Sequence, residues 1–537
     1  MKKAVLLAAG EGQKMWPYGA IRPKALLPVG ARPLIAWQLE LLLELGMEQI
    51  IVVTGHKGEQ IGHWLQHASG LSETERQRIA LVSAGAAAAP LPPGTARSLL
   101  AAADLLRGET SFLVLYADIW VERHDLARLL AQPLRDRTGS EAAAALAVPL
   151  GSERQSDWIC CRLEAAERSA PDSPGGADGG TGQWIDRGDD AHIGSTTDEW
   201  AGIHREERTT ASKGPASPSR GPSVTPAARI AAICGHPRDG YTHRCGGAYA
   251  LPQRFLSYCA ASSGRFTAVQ VGMMPPEASE LEQALADWLA DGRELAAVET
   301  QRPCYDLDKP WHILQASARA VSASCAELGG HELAEGASID PSAQIGGYVR
   351  LGRNSRIGRH VTIKGSAIVG DDTVIEDGAL LLGDHRIGSR THLANTCLLA
   401  PGASVGNGCV VNHCAELDGL LMDGVYLYHY MEVYGIVGTG ADLGAATVCG
   451  SLRFDDGQTT HRIRGRREWP QAWGDAVFIG DYARTGVNAI LMPGVKTGVY
   501  SIVGPGVVLE RDLPDRTLVR VQQELKYQPW GPERYGW

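Results

Sequence analysis

The C-terminal half of the chain begins with the sequence SIDPSAQIGGYVRLGRNSRIG, residues 338–358, in which an aliphatic residue stands at every sixth position. The same spacing continues without a break to residue 417, and Gly follows many of these residues. The series is Ile339, Ile345, Leu351, Ile357, Ile363, Val369, Ile375, Leu381, Ile387, Leu393, Leu399, Val405, Val411 and Leu417. A period of six fits neither an α-helix nor an alternating strand. It predicts a solenoid in which each short strand sends one aliphatic side chain inward and a turn follows.

The N-terminal part has the pattern of an α/β domain. Ala4–Ala9 is a continuous apolar run, as a strand buried on both faces requires. Residues 34–42 have helical spacing, and residues 49–55 form a second apolar strand. Strand, helix and strand in this order imply a right-handed crossover and a parallel sheet. Residues 112–118 predict a further buried strand that ends in an aspartate.

The chain of 537 residues is too long for a single core, so we expect several domains. The patterns place the α/β domain at residues 1–324, the repeat domain at 333–518 and a C-terminal tail at 519–537. Residues 165–228 are rich in Gly, Pro and Ser and lack apolar periodicity. They predict a flexible insertion within the first domain.

Composition and charge exclude several classes of protein. The formal net charge is −10, which argues against a binder of nucleic acid or of membrane surfaces. No apolar stretch approaches the roughly 20 residues that span a bilayer, and the apolar start is too short for a signal peptide. The 11 cysteines form no CxxC pairs, which favours free thiols. We therefore expect a cytoplasmic protein with no nucleic-acid or membrane partner.

A glycine-rich loop follows the first predicted strand. Its sequence is LAAGEGQKMWP, residues 7–17, and RPKALLPV follows at residues 22–29. Glycines at the end of a strand let backbone N–H groups approach a polyphosphate, and Lys14 and Lys24 can offer charge to phosphate oxygens. The glycines alone would also suit a plain strand–loop–helix turn with solvated lysines.

Together the two segments resemble the loop of the nucleotide-sugar pyrophosphorylase family, roughly L-A-A-G-x-G-[TS]-[RK]-M followed by P-K-x-L-[LV]-P-V. Gln13 is the one departure in the loop. The resemblance implies a Rossmann-like nucleotidyltransferase domain that transfers a nucleotidyl group from an NTP to a sugar-1-phosphate and releases pyrophosphate. It implies catalytic roles for Lys14 and Lys24. The nucleotide-binding loop residues would be Leu7, Ala8, Ala9, Gly10 and Gly12.

Two further motifs resemble the metal-binding motifs of that family. Tyr116-Ala117-Asp118 matches its Y-G-D, and residues 304–311, CYDLDKPW, resemble its W-x-D-I-x-x-P-W. The resemblance implies that Asp118 and Asp306 hold Mg²⁺, with Asp118 also catalytic and Tyr116 beside the nucleotide. Phosphoryl transfer brings several anions together, and a divalent cation with hard oxygen ligands suits that chemistry. Taken singly, each aspartate could instead cap a strand end.

The residues that would recognise base and sugar depart from the family pattern. Gly94-Thr95-Ala96 resembles its base-contacting L-G-T-A, which implies nucleotide contacts for Gly94 and Thr95, but the Gln usually found upstream is absent. Gly235-His236-Pro237 stands where the family has Glu-Lys-Pro, so His236 replaces the sugar-contacting lysine only in part. The identities of the nucleobase and the sugar therefore stay open.

The hexad register breaks at residue 423, where YLYHYMEVYG, residues 426–435, precedes DLGAAT, residues 442–447. This segment resembles the acetyltransferase half of bifunctional N-acetylglucosamine-1-phosphate uridyltransferases. The resemblance implies a left-handed parallel β-helix of hexapeptide repeats that forms a homotrimer and acetylates an amino sugar phosphate with acetyl-CoA. His429 would be the general base. The other residues at the acetyl-CoA and acceptor site would be Tyr430, Asp442 and Ala445.

Two alternatives stay open at the level of sequence. One is a single-activity pyrophosphorylase for dTDP-, GDP- or ADP-sugars whose β-helix serves assembly or regulation; Asp442, in place of the usual Asn, favours it. The other is a non-enzymatic regulator, because the chain also resembles some exchange subunits of translation factors, which combine the same two folds. Retention of both lysines and both aspartates in the first motif set argues against the regulator.

Overall fold

The computed structural model describes residues 1–86, 93–136, 138–151, 158–164, 228–262, 266 and 278–535. Residues 165–227 of the predicted insertion lie outside these ranges, while Ala228, its last residue, begins a strand. Within the described ranges, every helix is too short or too polar to cross a lipid bilayer.

The N-terminal half combines helices and strands in the predicted order. Its helices are α1 Leu34–Glu44, α2 Gly58–His67, α3 Glu73–Gln77, α4 Thr95–Ala101, α5 Arg123–Leu130, α6 Phe255–Ala261, α7 Leu281–Ala290 and α8 Pro310–Ala326. Its strands are β1 Lys3–Ala8, β2 Pro28–Val29, β3 Arg32–Pro33, β4 Gln49–Thr54, β5 Ile79–Ser83, β6 Ser111–Tyr116, β7 Ile119–Trp120, β8 Ala143–Pro149, β9 Cys160–Glu164, β10 Ala228–Cys234, β11 His243–Pro252, β12 Leu295–Glu299 and β13 Tyr305–Asp306.

Nine of these strands form one sheet in the order β5-β4-β1-β6-β11-β8-β12-β10-β9. Strand β1 lies between β4 and β6 and is parallel to both, as the crossover rule predicts. Strand β11 is antiparallel to β6 and β8, so the sheet is mixed beyond its parallel part. The arrangement agrees with the predicted Rossmann-like α/β domain.

Both faces of the sheet are covered, which explains the continuous apolar sequence of β1. Leu6 packs on one face with Ile35 and Val52, and Val5 packs on the other with Val114. Apolar residues at successive positions are therefore needed on this strand, since side chains alternate between the two faces.

The C-terminal half is a series of short strands joined by turns. They are β14 Glu332–Leu333, β15 Ser338–Ile339, β16 Gln344–Ile345, β17 Val349–Leu351, β18 Arg356–Ile357, β19 Thr362–Ile363, β20 Ala367–Val369, β21 Val374–Ile375, β22 Leu380–Leu381, β23 His385–Ile387, β24 His392–Leu393, β25 Leu398–Leu399, β26 Ser404–Val405, β27 Val410–Val411, β28 Glu416–Leu421, β29 Tyr426–Leu427, β30 Glu432–Val437, β31 Asp442–Leu443, β32 Val448–Cys449, β33 His461–Ile463, β34 Arg466–Glu468, β35 Val477–Ile479, β36 Arg484–Thr485, β37 Ile490–Leu491, β38 Lys496–Thr497, β39 Ile502–Val503, β40 Val508–Leu509 and β41 Leu518–Val519.

Apart from β33 and β34, which pair antiparallel with each other, these strands pair in parallel with strands of the neighbouring coils. Leu351 lies beside Val369, 18 residues later, and Ile357 lies beside Ile375. Three hexads therefore make one coil with three strands. The aliphatic residues of the hexad series line one continuous interior cluster. These parallel strands fit the predicted β-helix.

The coil changes at the predicted break in the hexad series. Glu416 of β28 pairs with Glu432 of β30, so this coil is 16 residues long. Both strands are six residues long, and they turn some apolar side chains outward from the interior cluster. Leu420 and Ile436 belong to a second cluster that also contains Tyr18 and Trp311 of the N-terminal half. The N-terminal half therefore packs directly against the lengthened strands of the solenoid.

Candidate active sites

The glycine-rich loop leaves β1 at the carboxyl edge of the parallel strands, which is where such sheets bind ligands. Gly12 has a φ of +65°, in the left-handed region that favours glycine, and its carbonyl accepts a hydrogen bond from the Met15 N–H at 2.9 Å. An added Cβ at Gly10 would meet no atom within 4 Å. The loop thus has an open backbone beside Lys14, as a phosphate-binding loop requires.

Lys24 stands at the centre of a carboxylate cluster. Its Nζ lies 2.7 Å from Oδ2 of Asp118, 3.4 Å from Oδ1 of Asp308 and 3.9 Å from Oδ1 of Asp306. Asp118 follows β6, and Asp306 ends β13, which pairs with β7. The folding of these elements thus brings together four residues from widely separated parts of the sequence, three of which were singled out from sequence.

Asp308 is the cluster member that sequence reasoning missed. Its Oδ2 accepts from Nζ of Lys14 at 2.7 Å, so it joins the two predicted catalytic lysines. Although burial opposes its ionisation, Lys24 and Lys14 hold the pKa of Asp308 well below its usual range. Burial raises the pKa of Asp306 to about 7, with Lys24 opposing the rise and the two other carboxylates adding to it. A signal was available, since a second acid two residues after Asp306 points to the same side of an extended segment.

The carboxylate cluster fits a magnesium ion whose coordination is completed by oxygen atoms of the substrate phosphates. Asp118 and Asp306 offer hard oxygen atoms around one shared ammonium group. Mg²⁺ commonly uses one or two protein carboxylates together with phosphate oxygens and water. In the described part of the chain, no group of three or more His, Cys, Asp or Glu side chains is arranged to hold a metal by itself. Phosphate oxygens would therefore be needed to complete the coordination.

Two predicted nucleotide contacts make hydrogen bonds within the protein. The Tyr116 hydroxyl donates to Oε1 of Glu282 at 2.7 Å, and the Tyr249 hydroxyl donates to the same oxygen at 2.6 Å. Thr95 Oγ1 donates to Glu280 at 2.9 Å and accepts from the backbone N–H at the start of α7 at 2.8 Å. Burial raises the pKa of Glu282 to about 7, and the neighbouring Glu280 carboxylate adds to the rise.

Gly94 is held in close contact with the segment before α7. A Cβ added at this residue would lie 2.4 Å from the Ser279 carbonyl oxygen, and its φ of +157° is rarely adopted by other residues. The predicted base-reading segment therefore also fixes one end of α7. Glycine is required here by the close backbone approach, whatever its role toward a nucleotide.

His236 lies buried beside Arg238, whose Nε donates to His236 Nε2 at 3.0 Å. Burial, assisted by the Arg238 charge, lowers the pKa of His236. Its imidazole is therefore neutral at neutral pH, and the positive charge at this position belongs to Arg238. Arg244, which sequence reasoning did not single out, donates to the Cys304 carbonyl at 2.6 Å and favours the ionised form of Asp306.

Two of the predicted acetyl-transfer residues, His429 and Tyr430, lie around His413 at a turn of the solenoid. His429 Nδ1 lies 3.1 Å from Nδ1 of His413, and the Tyr430 hydroxyl lies 3.1 Å from Nε2 of His413. The His429 carbonyl accepts from the Ala446 N–H at 2.9 Å, which brings the neighbouring Ala445 close to this turn. Asp442 is exposed at the start of β31. His413 was missed, although it occupies the equivalent turn one 16-residue coil earlier.

Residues 3–154 match the model of the Nucleotidyl transferase family, so the class predicted for the first domain is confirmed. Over nearly its whole length, the chain is similar to bifunctional enzymes. It is 22% identical to a bifunctional sugar-1-phosphate nucleotidylyltransferase/acetyltransferase of Sulfurisphaera tokodaii over 95% of this chain and 98% of that protein. It is 25% identical to the bifunctional protein GlmU of Stenotrophomonas maltophilia over 97% of this chain and 96% of that protein. These relatives confirm the resemblance inferred from the motifs.

Among solved structures, a UDP-glucose pyrophosphorylase complexed with UDP-glucose matches 60% of this chain and 99% of its own. The sequence identity is 16% and the TM-score is 0.40.

Proposed function

We propose that the chain transfers a nucleotidyl group from an NTP to a sugar-1-phosphate and, at a second site, an acetyl group from acetyl-CoA to an amino sugar phosphate. The observation that carries the first activity is the convergence of Lys14, Lys24, Asp118 and Asp306 at the carboxyl edge of the parallel strands. The similarity to bifunctional relatives over nearly the whole chain supports the second activity.

In the first reaction, an oxygen of the sugar-1-phosphate attacks the α-phosphorus of the NTP, and the bond to the β-phosphate oxygen breaks. Backbone N–H groups of the Gly10–Gly12 loop orient the triphosphate, and Lys14 offsets the charge that develops on departing pyrophosphate. Lys24 contacts the phosphates of the substrates. Asp118 and Asp306 would hold Mg²⁺, which when bound offsets negative charge between the two substrates.

In the second reaction, His429 removes a proton from the sugar amine as the nitrogen attacks the acetyl carbonyl, and the CoA thiolate leaves. The hydrogen bonds support this role, because Nδ1 of His429 can donate to Nδ1 of His413 while Nε2 of His413 donates to the Tyr430 hydroxyl oxygen. This tautomer leaves Nε2 of His429 with a free lone pair, which a general base needs. His413 is then a positioning residue.

The family resemblance also supports the other predictions that accompany this function. The β-helix is predicted to be left-handed and to form a homotrimer. The predicted domains are residues 1–324 and 333–518 with a tail at 519–537, and the predicted location is the cytoplasm. Asp442 would face the acceptor and Ala445 the acetyl-CoA.

The test is a panel of NTPs and sugar-1-phosphates in which pyrophosphate release is measured, followed by CoA release from acetyl-CoA with glucosamine-1-phosphate. Lys24→Met should abolish pyrophosphate release, whereas Lys2→Met is the matched control, since Lys2 forms a surface ion pair with Glu48. Absence of pyrophosphate release with every pair would contradict the first activity. Pyrophosphate release without acetyl transfer would favour the single-activity alternative.

A further inference from the structure

A hairpin from the solenoid half reaches the nucleotidyl site. It consists of β33 and β34, which pair antiparallel between coils of the solenoid. Ile463 of this hairpin is buried in the cluster shared with Trp311 of α8. The His461 ring lies 4.9 Å from the Trp311 ring, and its Nε2 bonds the Gly474 carbonyl oxygen at 2.6 Å. The hairpin is thus held against the N-terminal half by buried contacts.

An ion pair fixes the second strand of the hairpin beside the carboxylate cluster. Nζ of Lys309 lies 3.0 Å from Oε2 of Glu468, and Lys309 is buried. Lys309 directly follows Asp308, the residue that binds Lys14. The end of the hairpin is therefore placed next to the residues of the proposed first site.

The tip of the hairpin carries an arginine in an unfavourable backbone conformation. Arg464 and Gly465 have φ values of +49° and +82°, the pattern of a two-residue hairpin turn that favours Asn-Gly. A long side chain is uncommon at such a position. This conformation is that of the turn itself, and it places Arg464 at the tip of the hairpin.

Arg464 and Arg466 line one cavity with Lys14. The cavity has a volume of about 260 Å³, and Ile463 and Glu468 complete its lining. Arg464 and Arg466 bring side chains from the solenoid half to the lysine that follows the glycine-rich loop. The cavity therefore joins residues that sequence patterns assign to two separate domains.

The charge of this cavity is suited to an anion. Within the described residues, the side chains of Arg464 and Arg466 have no hydrogen-bond or ion-pair partner. Glu468 is offset by Lys309, and Lys14 is paired with Asp308. Two guanidinium groups therefore remain as excess positive charge, and their planar donor sets match phosphate oxygens.

We infer that Arg464 and Arg466 complete, together with Lys14, a subsite for the β- and γ-phosphates of the NTP and for the pyrophosphate product. This inference rests on the proposed nucleotidyl transfer, and it adds a part of the solenoid half to the first active site. Because Lys14 lies between the glycine-rich loop and the hairpin, a polyphosphate could contact both. The two arginines then neutralise charge on the leaving group while it departs.

The test compares two double variants of the full-length protein. Arg464→Gln with Arg466→Gln removes both charges from the cavity. Arg462→Gln with Arg467→Gln is the matched control, because these two residues pair with each other in the same hairpin. Their pair is next to the Ile463–Arg466 pair, and successive residues of a strand face opposite sides, so their side chains face away from the cavity. Binding of inorganic tripolyphosphate is measured by calorimetry, and the KM for NTP and, in the reverse reaction, for pyrophosphate is measured by kinetics. Melting temperatures check that both variants fold.

The cavity variant should bind tripolyphosphate at least about tenfold more weakly and raise both KM values about tenfold or more, since each lost contact is to a charged group. The control should stay within about twofold of wild type. Unchanged tripolyphosphate affinity and unchanged KM values in an active, folded cavity variant would overturn the inference. If wild type binds tripolyphosphate through these arginines but turns over no substrate pair, the proposed function fails while the anion subsite stands.

Discussion

Arg22 connects the nucleotide loop to the solenoid through a buried ion pair. Its guanidinium bonds the carboxylate of Asp481 and also donates to Thr439 Oγ1 at 3.1 Å. Asp481 is fully buried, and its Oδ2 has no hydrogen-bond partner in the described part of the protein. The variant that tests this ion pair is Arg22→Met, in which the side chain keeps an apolar stem and loses its charge.

The expected cost follows from the burial of the remaining carboxylate. Breaking a buried pair by removing one partner costs about 3–5 kcal/mol, whereas losing an exposed pair costs at most about 1 kcal/mol. Arg22→Met should therefore lower the free energy of unfolding at pH 7.5 by about 3 kcal/mol or more. Arg76→Met is the control, since Arg76 pairs with Glu73 at the surface. Adding Asp481→Asn to Arg22→Met should restore most of the loss.

The pH dependence of this loss has a definite sign. Burial raises the pKa of Asp481, and the Arg22 charge opposes that rise, so the Arg22→Met variant should raise the pKa further. The folded variant then binds the proton more tightly than the unfolded chain does, and its stability relative to wild type falls as pH rises through the raised pKa. Urea unfolding at pH 4.5 and 7.5 should show the smaller loss at pH 4.5. A loss below about 1 kcal/mol at pH 7.5, or failure of Asp481→Asn to restore stability, would refute this reasoning.

Three further predictions concern single side chains. Asp118→Asn and Asp306→Ala should each abolish pyrophosphate release with little change in melting temperature; wild-type turnover at ordinary Mg²⁺ concentrations would contradict the ligand assignment. His429→Ala should lower the rate of CoA release roughly 10²-fold or more. His413→Ala should lower the rate less and shift its pH profile, because His413 would act by orienting the His429 ring. An unchanged rate in His429→Ala would show that another group is the base. Burial raises the pKa of Glu282 to about 7, so this group should make the free energy of unfolding fall as pH rises from about 4.5 to 7. Glu282→Gln should remove that pH dependence in urea unfolding, and a dependence equal to that of wild type would contradict the prediction.

The interior of the solenoid could be predicted from sequence because it depends on a local period. From Leu351 onward the hexad residues, such as Ile357 and Leu393, lie in the interior cluster beside a hexad residue of a neighbouring coil. The carboxylate cluster could be predicted in part, because strand ends of a parallel sheet meet at one edge. Asp308 is two residues from Asp306 and His413 is 16 residues before His429, but this spacing alone does not show that Asp308 binds Lys14 or that His413 binds His429.

The packing of the two halves could not be predicted either, because the hexad repeat and the loop motifs each concern one half only. Between Lys14 and Lys24, three residues bond the solenoid half with their side chains: Trp16, Tyr18 and Arg22. The Tyr18 hydroxyl donates to the Ile436 carbonyl at 2.9 Å, and the Trp16 indole donates to Asp515 at 2.9 Å.

The position of the two lysines that we predict to be catalytic therefore depends on a segment that contacts the solenoid. Lys14 precedes the docked segment, and Lys24 follows Arg22 by two residues. A change at Asp481 in the solenoid therefore removes a contact of the segment that links the two lysines, both of which lie beside Asp308. The same reasoning extends to the hairpin, since Lys309 ties Glu468 to the residue next to Asp308. The proposed first active site thus lies where the two halves of the chain meet, and segments on both sides of its lysines and aspartates contact the solenoid half.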